Sequence, residues 1–134
     1  MSKTLIGLDV GEKRIGVAVA DMAVKIAIPY ETIEVDGGEL KRLADIVVDQ
    51  EPEVVVVGYP RNQSGEATAQ TRFVEHFTNQ IRPIVEPSEV VFQDESLTSV
   101  IAEERLKTIG KNYQKGDIDS TAASIILQDY LESH

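Results

Sequence analysis

Four consecutive β-branched residues, Val54-Val55-Val56-Val57, narrow the folds open to this chain more than any other segment. A run of strand length with no polar alternation must be covered on both faces, which suits a strand in a sheet with parallel neighbours and helices on both sides. Gly58 ends the run, and the segments around it supply the layers it needs. Upstream, extended segments at about 4–10, 15–21 and 26–35 are joined by short turns and predict an antiparallel meander. Gly37-Gly38 then introduces a helix over 39–50, with Leu40, Leu43, Ala44 and Val47 at i, i+3, i+4 and i+7.

Downstream, the loop from Tyr59 to Glu66 leads to a helix over about 67–82, where Ala69, Phe73, Phe77 and Ile81 recur every four residues. His76 falls off that stripe and reads as solvated. Pro83 and Pro87 bracket a connection to a strand over 90–94. A helix over 98–109 has Gly110 as a C′ residue, and after the polar stretch 111–116 the last helix spans about 119–132. The order reads βββαβαβα. It predicts an α/β fold, a mixed five-stranded sheet flanked by helices, as a single domain over residues 1–134.

With 134 residues and 42% hydrophobic content, the chain has enough apolar material for one ordinary core and too little for two domains. The absence of cysteine removes disulfides and thiolate zinc sites, and two histidines are too few for an imidazole-rich centre, so any metal must sit on oxygen. There is no signal-peptide h-region and no apolar run long enough to cross a bilayer, which predicts a cytoplasmic protein with no membrane partner. A net charge of −10 opposes non-specific attachment to nucleic acid, because phosphate binding relies on Lys and Arg releasing counterions.

Asp9 is the oddity of the first strand, one acid within Leu5-Ile6-Gly7-Leu8-Asp9-Val10. Desolvating an unpaired carboxylate is costly, so an acid there is expected at a strand end facing a metal, a cation or water. In the predicted sheet, the carboxyl ends of neighbouring strands share an edge, so Asp94 or Glu95 of the fifth strand meets Asp9 there. Asp119, Ala123, Ile126 and Tyr130 share one helical stripe, which turns Asp119 toward the same edge. Asp119 also fits a helix N-cap, although Asp117 is available to cap instead. Two carboxylates about 5 Å apart repel by roughly 3 kcal/mol at an effective dielectric of about 20, and a divalent cation relieves this. An all-oxygen cluster suits Mg²⁺ or Mn²⁺, and its natural chemistry is two-metal hydrolysis.

The turn Gly11-Glu12-Lys13-Arg14-Ile15-Gly16 fits an ordinary hairpin with solvated charges, but beside a metal-holding acid Lys13 and Arg14 become candidate phosphate contacts. Lys107, Lys111 and Lys115 form a second basic set, of the kind that is usually a solvated face.

These segments together resemble the YqgF/RuvX family. The resemblance is carried by Gly7-Leu8-Asp9-Val10-Gly11 with Lys13-Arg14-Ile15-Gly16-Val17-Ala18 and by Gly58-Tyr59-Pro60-Arg61-Asn62 with Gly65. Asp94-Glu95 with Leu97-Thr98 follows, then Lys115-Gly116-Asp117-Ile118-Asp119 with Ala122-Ala123 and Ile126-Leu127. It implies an RNase H-like fold related to RuvC-type Holliday-junction resolvases, and a metal-dependent endonuclease acting on structured RNA, precursor 16S rRNA above all. Branched DNA is the older proposal, and ribosomal components are implied partners.

The resemblance assigns catalytic and metal-binding roles to Asp9, Glu95 and Asp119, thereby choosing Glu95 over Asp94, with two Mg²⁺ or Mn²⁺ ions expected. It also puts Pro60, Asn62 and Gly65 near the active edge, and Arg61, Asn62, Lys111 and Lys115 join Lys13 and Arg14 as nucleic-acid contacts. One departure stands out: the family has Arg after the Asp-Glu pair, where this chain has Ser96, which predicts weaker substrate binding with intact metal binding. Two rival readings remain at this level. The Asp-Val-Gly-Glu-Lys turn also resembles the phosphate hairpin of actin-like ATPases, and related domains serve in larger factors as non-catalytic nucleic-acid-binding modules.

Overall fold

The computed structural model describes residues 3–60, 68–95, 98–109 and 115–133, with the backbone alone for 95, 98–100, 109 and 115. The elements are β1 (Thr4–Val10), β2 (Arg14–Asp21), β3 (Ala27–Glu34), α1 (Glu39–Gln50), β4 (Val54–Pro60), α2 (Ala69–Val85), β5 (Glu89–Glu95), α3 (Thr98–Ile109) and α4 (Lys115–Ser133). The order is therefore βββαβαβαα: both helices expected after the fifth strand are present, the string βββαβαβα leaving one of them out, and they pack on each other through Ala102, Ala122 and Ile125.

The five strands form one sheet in the order β3-β2-β1-β4-β5. The meander β1-β2-β3 is antiparallel, whereas β4 runs parallel to β1 and β5 parallel to β4. Val55, Val56 and Val57 are fully buried, as the valine run requires, and they divide between two cores by alternation. Val55 and Val57 join Ile6, Leu8, Val10, Ile15 and Val17 under α1 and α2. Val56 joins Leu5, Ala18 and Ala20 under Ala123, Ile126, Leu127 and Leu131 of α4.

Two helices depart from their expected bounds. In α2, Thr68 and Thr71 form a reciprocal capping box, and the helix continues through Pro83 to Val85. A proline so near the end costs only a bond of the last turn, while Val85 is fully buried and holds that turn on the core. The packed line of α2 is Thr71, Val74, Phe77, Thr78, Ile81 and Val85, so Ala69 is exposed rather than central. Helix α4 starts at Lys115 rather than about 119, which places Asp119 beyond the first turn and removes the N-cap reading. Its early start is held by a tertiary bond, in which the Thr32 hydroxyl of β3 donates to the Gly116 carbonyl at 2.5 Å.

Candidate active site

The site is built by two glycines that let α4 settle onto the sheet. A β-carbon on Gly7 of β1 would lie 2.7 Å from Leu127 Cβ and 3.0 Å from the Ala123 carbonyl oxygen. At Gly16 of β2 it would lie 1.9 Å from the backbone carbonyl oxygen of Asp119, a distance no atom pair tolerates. Glycine inside a strand commonly marks such a close backbone approach. Helix α4 is also tied to the edge strand: the Gln128 side chain accepts from the Ala27 N–H at 2.9 Å and donates to the Lys25 carbonyl at 3.1 Å.

The register then brings Asp9 to Asp119. Asp9 and Gly16 are paired across the antiparallel ladder, so Asp9 stands beside the residue on which the Asp119 backbone rests. Leu5 and Gly7 both meet α4, and by the same alternation Asp9 belongs to that face. On the other flank of β1, Leu8 pairs with Val57, and the next residue of β4 is Gly58. Asp9 is thus flanked on both neighbouring strands by residues without side chains, and over Gly16 the space is taken by the Asp119 backbone, which seats α4 beside this half-buried carboxylate.

The parallel strands β1, β4 and β5 end at one edge, where Pro60 pairs with Glu95 and Tyr59 with Asp94. Val91 of β5 packs in the α4-side core and Val90 in the opposite one. Position 95 shares the parity of Val91, and position 94 that of Val90. The side chain of Glu95 lies outside the described residues, as do Arg61, Asn62, Gly65, Ser96, Gly110, Lys111 and the side chain of Lys115. Among the described residues, no three acids or histidines lie close enough together to hold a metal ion.

Among the described residues, Arg14 directly contacts a candidate acid. Its Nε donates to Asp119 Oδ2 at 2.7 Å, with both side chains about three-quarters buried. Arg14, Lys13, Gly11, Glu12, Gln70 and Asp119 line an open cleft of about 390 Å³. Gly11 shapes the turn beneath it through a bond from its N–H to the Arg14 carbonyl at 3.0 Å. Lys107 is exposed and pairs with Glu103 one helical turn away at 3.5 Å, the solvated-face arrangement. His76 is exposed, as expected. A second cavity of about 360 Å³ lies at the opposite end of the sheet, lined mainly by Val19, Val24, Ile26 and Ile28, away from the acids.

The donor types at this edge are those a hard divalent cation takes: Asp9 and Asp119 share a face, position 95 lies at the same edge, and all three offer carboxylate oxygen. Sequence reasoning missed the Arg14–Asp119 pairing and the role of Gly16. The signal for Gly16 was present as a glycine set between the β-branched Ile15 and Val17 inside a strand.

Comparison with known proteins agrees with this architecture. A protein of Chloroflexus aggregans named "Putative pre-16S rRNA nuclease" is 40% identical, covering 98% of this chain and 94% of its own. A protein of the same name from Fusobacterium nucleatum is 38% identical, covering 97% of each chain. The fold is that of RuvC from T. thermophilus, solved in complex with a Holliday junction substrate, at a TM-score of 0.60 and 15% identity over 97% of this chain and 94% of that one. The fowlpox virus Holliday junction resolvase aligns with a TM-score of 0.59 and 16% identity, covering 98% of this chain and 99% of that one. Residues 3–133 match the family model described as "RuvX: Holliday junction resolvase", and the chain belongs to that family, on an RNase H-like fold.

Proposed function

We propose that this protein is a metal-dependent endonuclease that hydrolyses phosphodiester bonds in structured RNA, trimming the 5′ end of precursor 16S rRNA in the cytoplasm alongside ribosomal components. The observation that carries the reading is the placement of Asp9 and Asp119 on one glycine-floored face at the sheet edge where β5 ends. The names of relatives near 40% identity supply the substrate class.

In this reading Asp9, Glu95 and Asp119 would hold two Mg²⁺ or Mn²⁺ ions. Position 95 is preferred to Asp94 because it shares the parity of the α4-side core. Bound divalent ions supply water activation and stabilisation of the leaving oxygen. The chain's own contribution is positional. Gly16 seats the α4 backbone and so fixes Asp119, Gly58 adds no side chain beside Asp9, and Lys13 and Arg14 stand on the cleft wall as phosphate contacts, with Arg61, Asn62, Lys111 and Lys115 as further candidates.

The test is cleavage of precursor 16S rRNA fragments with Mn²⁺ or Mg²⁺. Asp9→Asn, Glu95→Gln and Asp119→Asn are each expected to lower the rate by at least about a hundredfold, while Asp94→Asn keeps most of it. Equal residual cleavage in all four variants would point to a contaminant and sink the reading. Four-way DNA junctions run beside the RNA test the second reading, favoured by the description of the matching family model. Faster cutting of the junction would select it.

A further inference from the structure

Arg14 does more at this edge than wait for substrate. Its Nε is already bound to Asp119 Oδ2 at 2.7 Å with both side chains about three-quarters buried, so one of the two oxygens Asp119 has to offer a metal is held by a side chain. Arg14 and Gly16 alternate onto the α4 face of β2, and Asp9 is the ladder partner of Gly16, so the guanidinium shares a face with both acids. A divalent ion drawn to those acids meets a fixed positive charge, and two cations on one carboxylate repel.

The backbone cannot yield, because the Asp119 carbonyl rests on Gly16 and α4 is tied to β3 through Thr32 and Gln128. What yields is the long Arg14 side chain. Its natural next partner is a phosphate, whose oxygens match the guanidinium fork as a carboxylate does.

Resting on the proposed nuclease reading, we infer that Arg14 is a resident counter-ion of Asp119 that metal displaces, so that metal loading hands the guanidinium to the substrate phosphate and couples the two binding events. By linkage, metal then strengthens nucleic-acid binding and nucleic acid strengthens metal binding by the same factor. For a chain of net charge −10 this keeps the phosphate grip weak until the metal is in place.

Mn²⁺ affinity is measured by titration calorimetry on the full chain, and affinity for a labelled RNA hairpin by anisotropy with and without Mn²⁺, before measurable cleavage. Arg14→Gln is expected to bind Mn²⁺ at least about fivefold more tightly and to lose most of the metal-dependent gain in RNA affinity. Lys13→Gln removes the same charge from the same cleft wall, where Lys13 has no ion pair among the described residues, and is expected to leave Mn²⁺ affinity nearly unchanged. Arg14→Lys, which keeps the charge without the fork, serves if Arg14→Gln does not fold. It is expected to keep wild-type Mn²⁺ affinity while losing part of the gain.

Unchanged or weaker Mn²⁺ binding in Arg14→Gln would make Arg14 a support for Asp119 and overturn the displacement. An equal rise in Lys13→Gln would reduce it to bulk charge and also overturn it. Wild type that binds RNA but no Mn²⁺ would instead sink the nuclease reading itself, and the coupling with it.

Discussion

At the scale of single residues, the site rests on what Gly16 lacks. Replacing it with alanine puts a methyl into the Asp119 carbonyl, and because α4 is held at both ends the strain has little outlet. Gly16→Ala is expected to cost about 1–3 kcal/mol, read as a lower denaturant midpoint at unchanged slope. It should also reduce metal-dependent cleavage, because Asp119 shifts away from Asp9. Asp9 was legible as the anomalous acid because an apolar strand makes one carboxylate conspicuous. Asp119 was legible by its stripe, but its bond to Arg14 was not, since the two lie 105 residues apart and nothing local announces the pairing. The choice of Glu95 over Asp94 came from the family resemblance, because the chain's alternation alone does not supply it.

At the scale of elements, α4 positions the site, and it is also where local reading fell short. Its start was placed near Asp119 because the polar stretch 111–116 reads as a loop between helices. The Thr32 hydroxyl bond to the Gly116 carbonyl is tertiary and overrides that reading. The other end of the tie is testable. Gln128→Leu removes both the acceptor for Ala27 and the donor for Lys25, and is expected to cost about 1–2 kcal/mol. It should also speed hydrogen exchange at the Ala27 amide selectively. An unchanged exchange rate at Ala27 would mean that the edge strand is held without α4. By contrast, the meander, the buried valine strand and the bounds of α1 follow directly from alternation, β-branching and helical spacing, because those signals are set by which faces are covered.

At the scale of the whole molecule, charge decides behaviour. With −10 overall, RNA binding is expected to be weak, to need divalent metal and to fall steeply with added salt. Tight binding that ignores salt, measured by filter retention across a salt series, would contradict this. The exposed Glu31–Arg42 pair between β3 and α1 has its own pH signature. The Arg42 guanidinium, donating to Glu31 at 2.6 Å through Nε, holds the Glu31 carboxyl below its ordinary value of 4.5. A carboxyl with a lowered folded-state value stabilises the fold above its unfolded value, and that share is lost as pH falls through the folded one. Glu31→Gln should therefore flatten the acid limb of a stability profile slightly and leave neutral pH nearly unaffected apart from the lost surface pair, which solvent screening keeps small.

The contact at Gly16 has one more consequence, for how this site tolerates variation. Most side-chain contacts fail by deletion, when something is trimmed and a gap opens. Here the helix is seated on backbone, and no residue is smaller than the one present. The placement of Asp119 can thus be spoiled at this position only by addition, so a scan of Gly16 should find alanine the least harmful replacement and every larger residue worse.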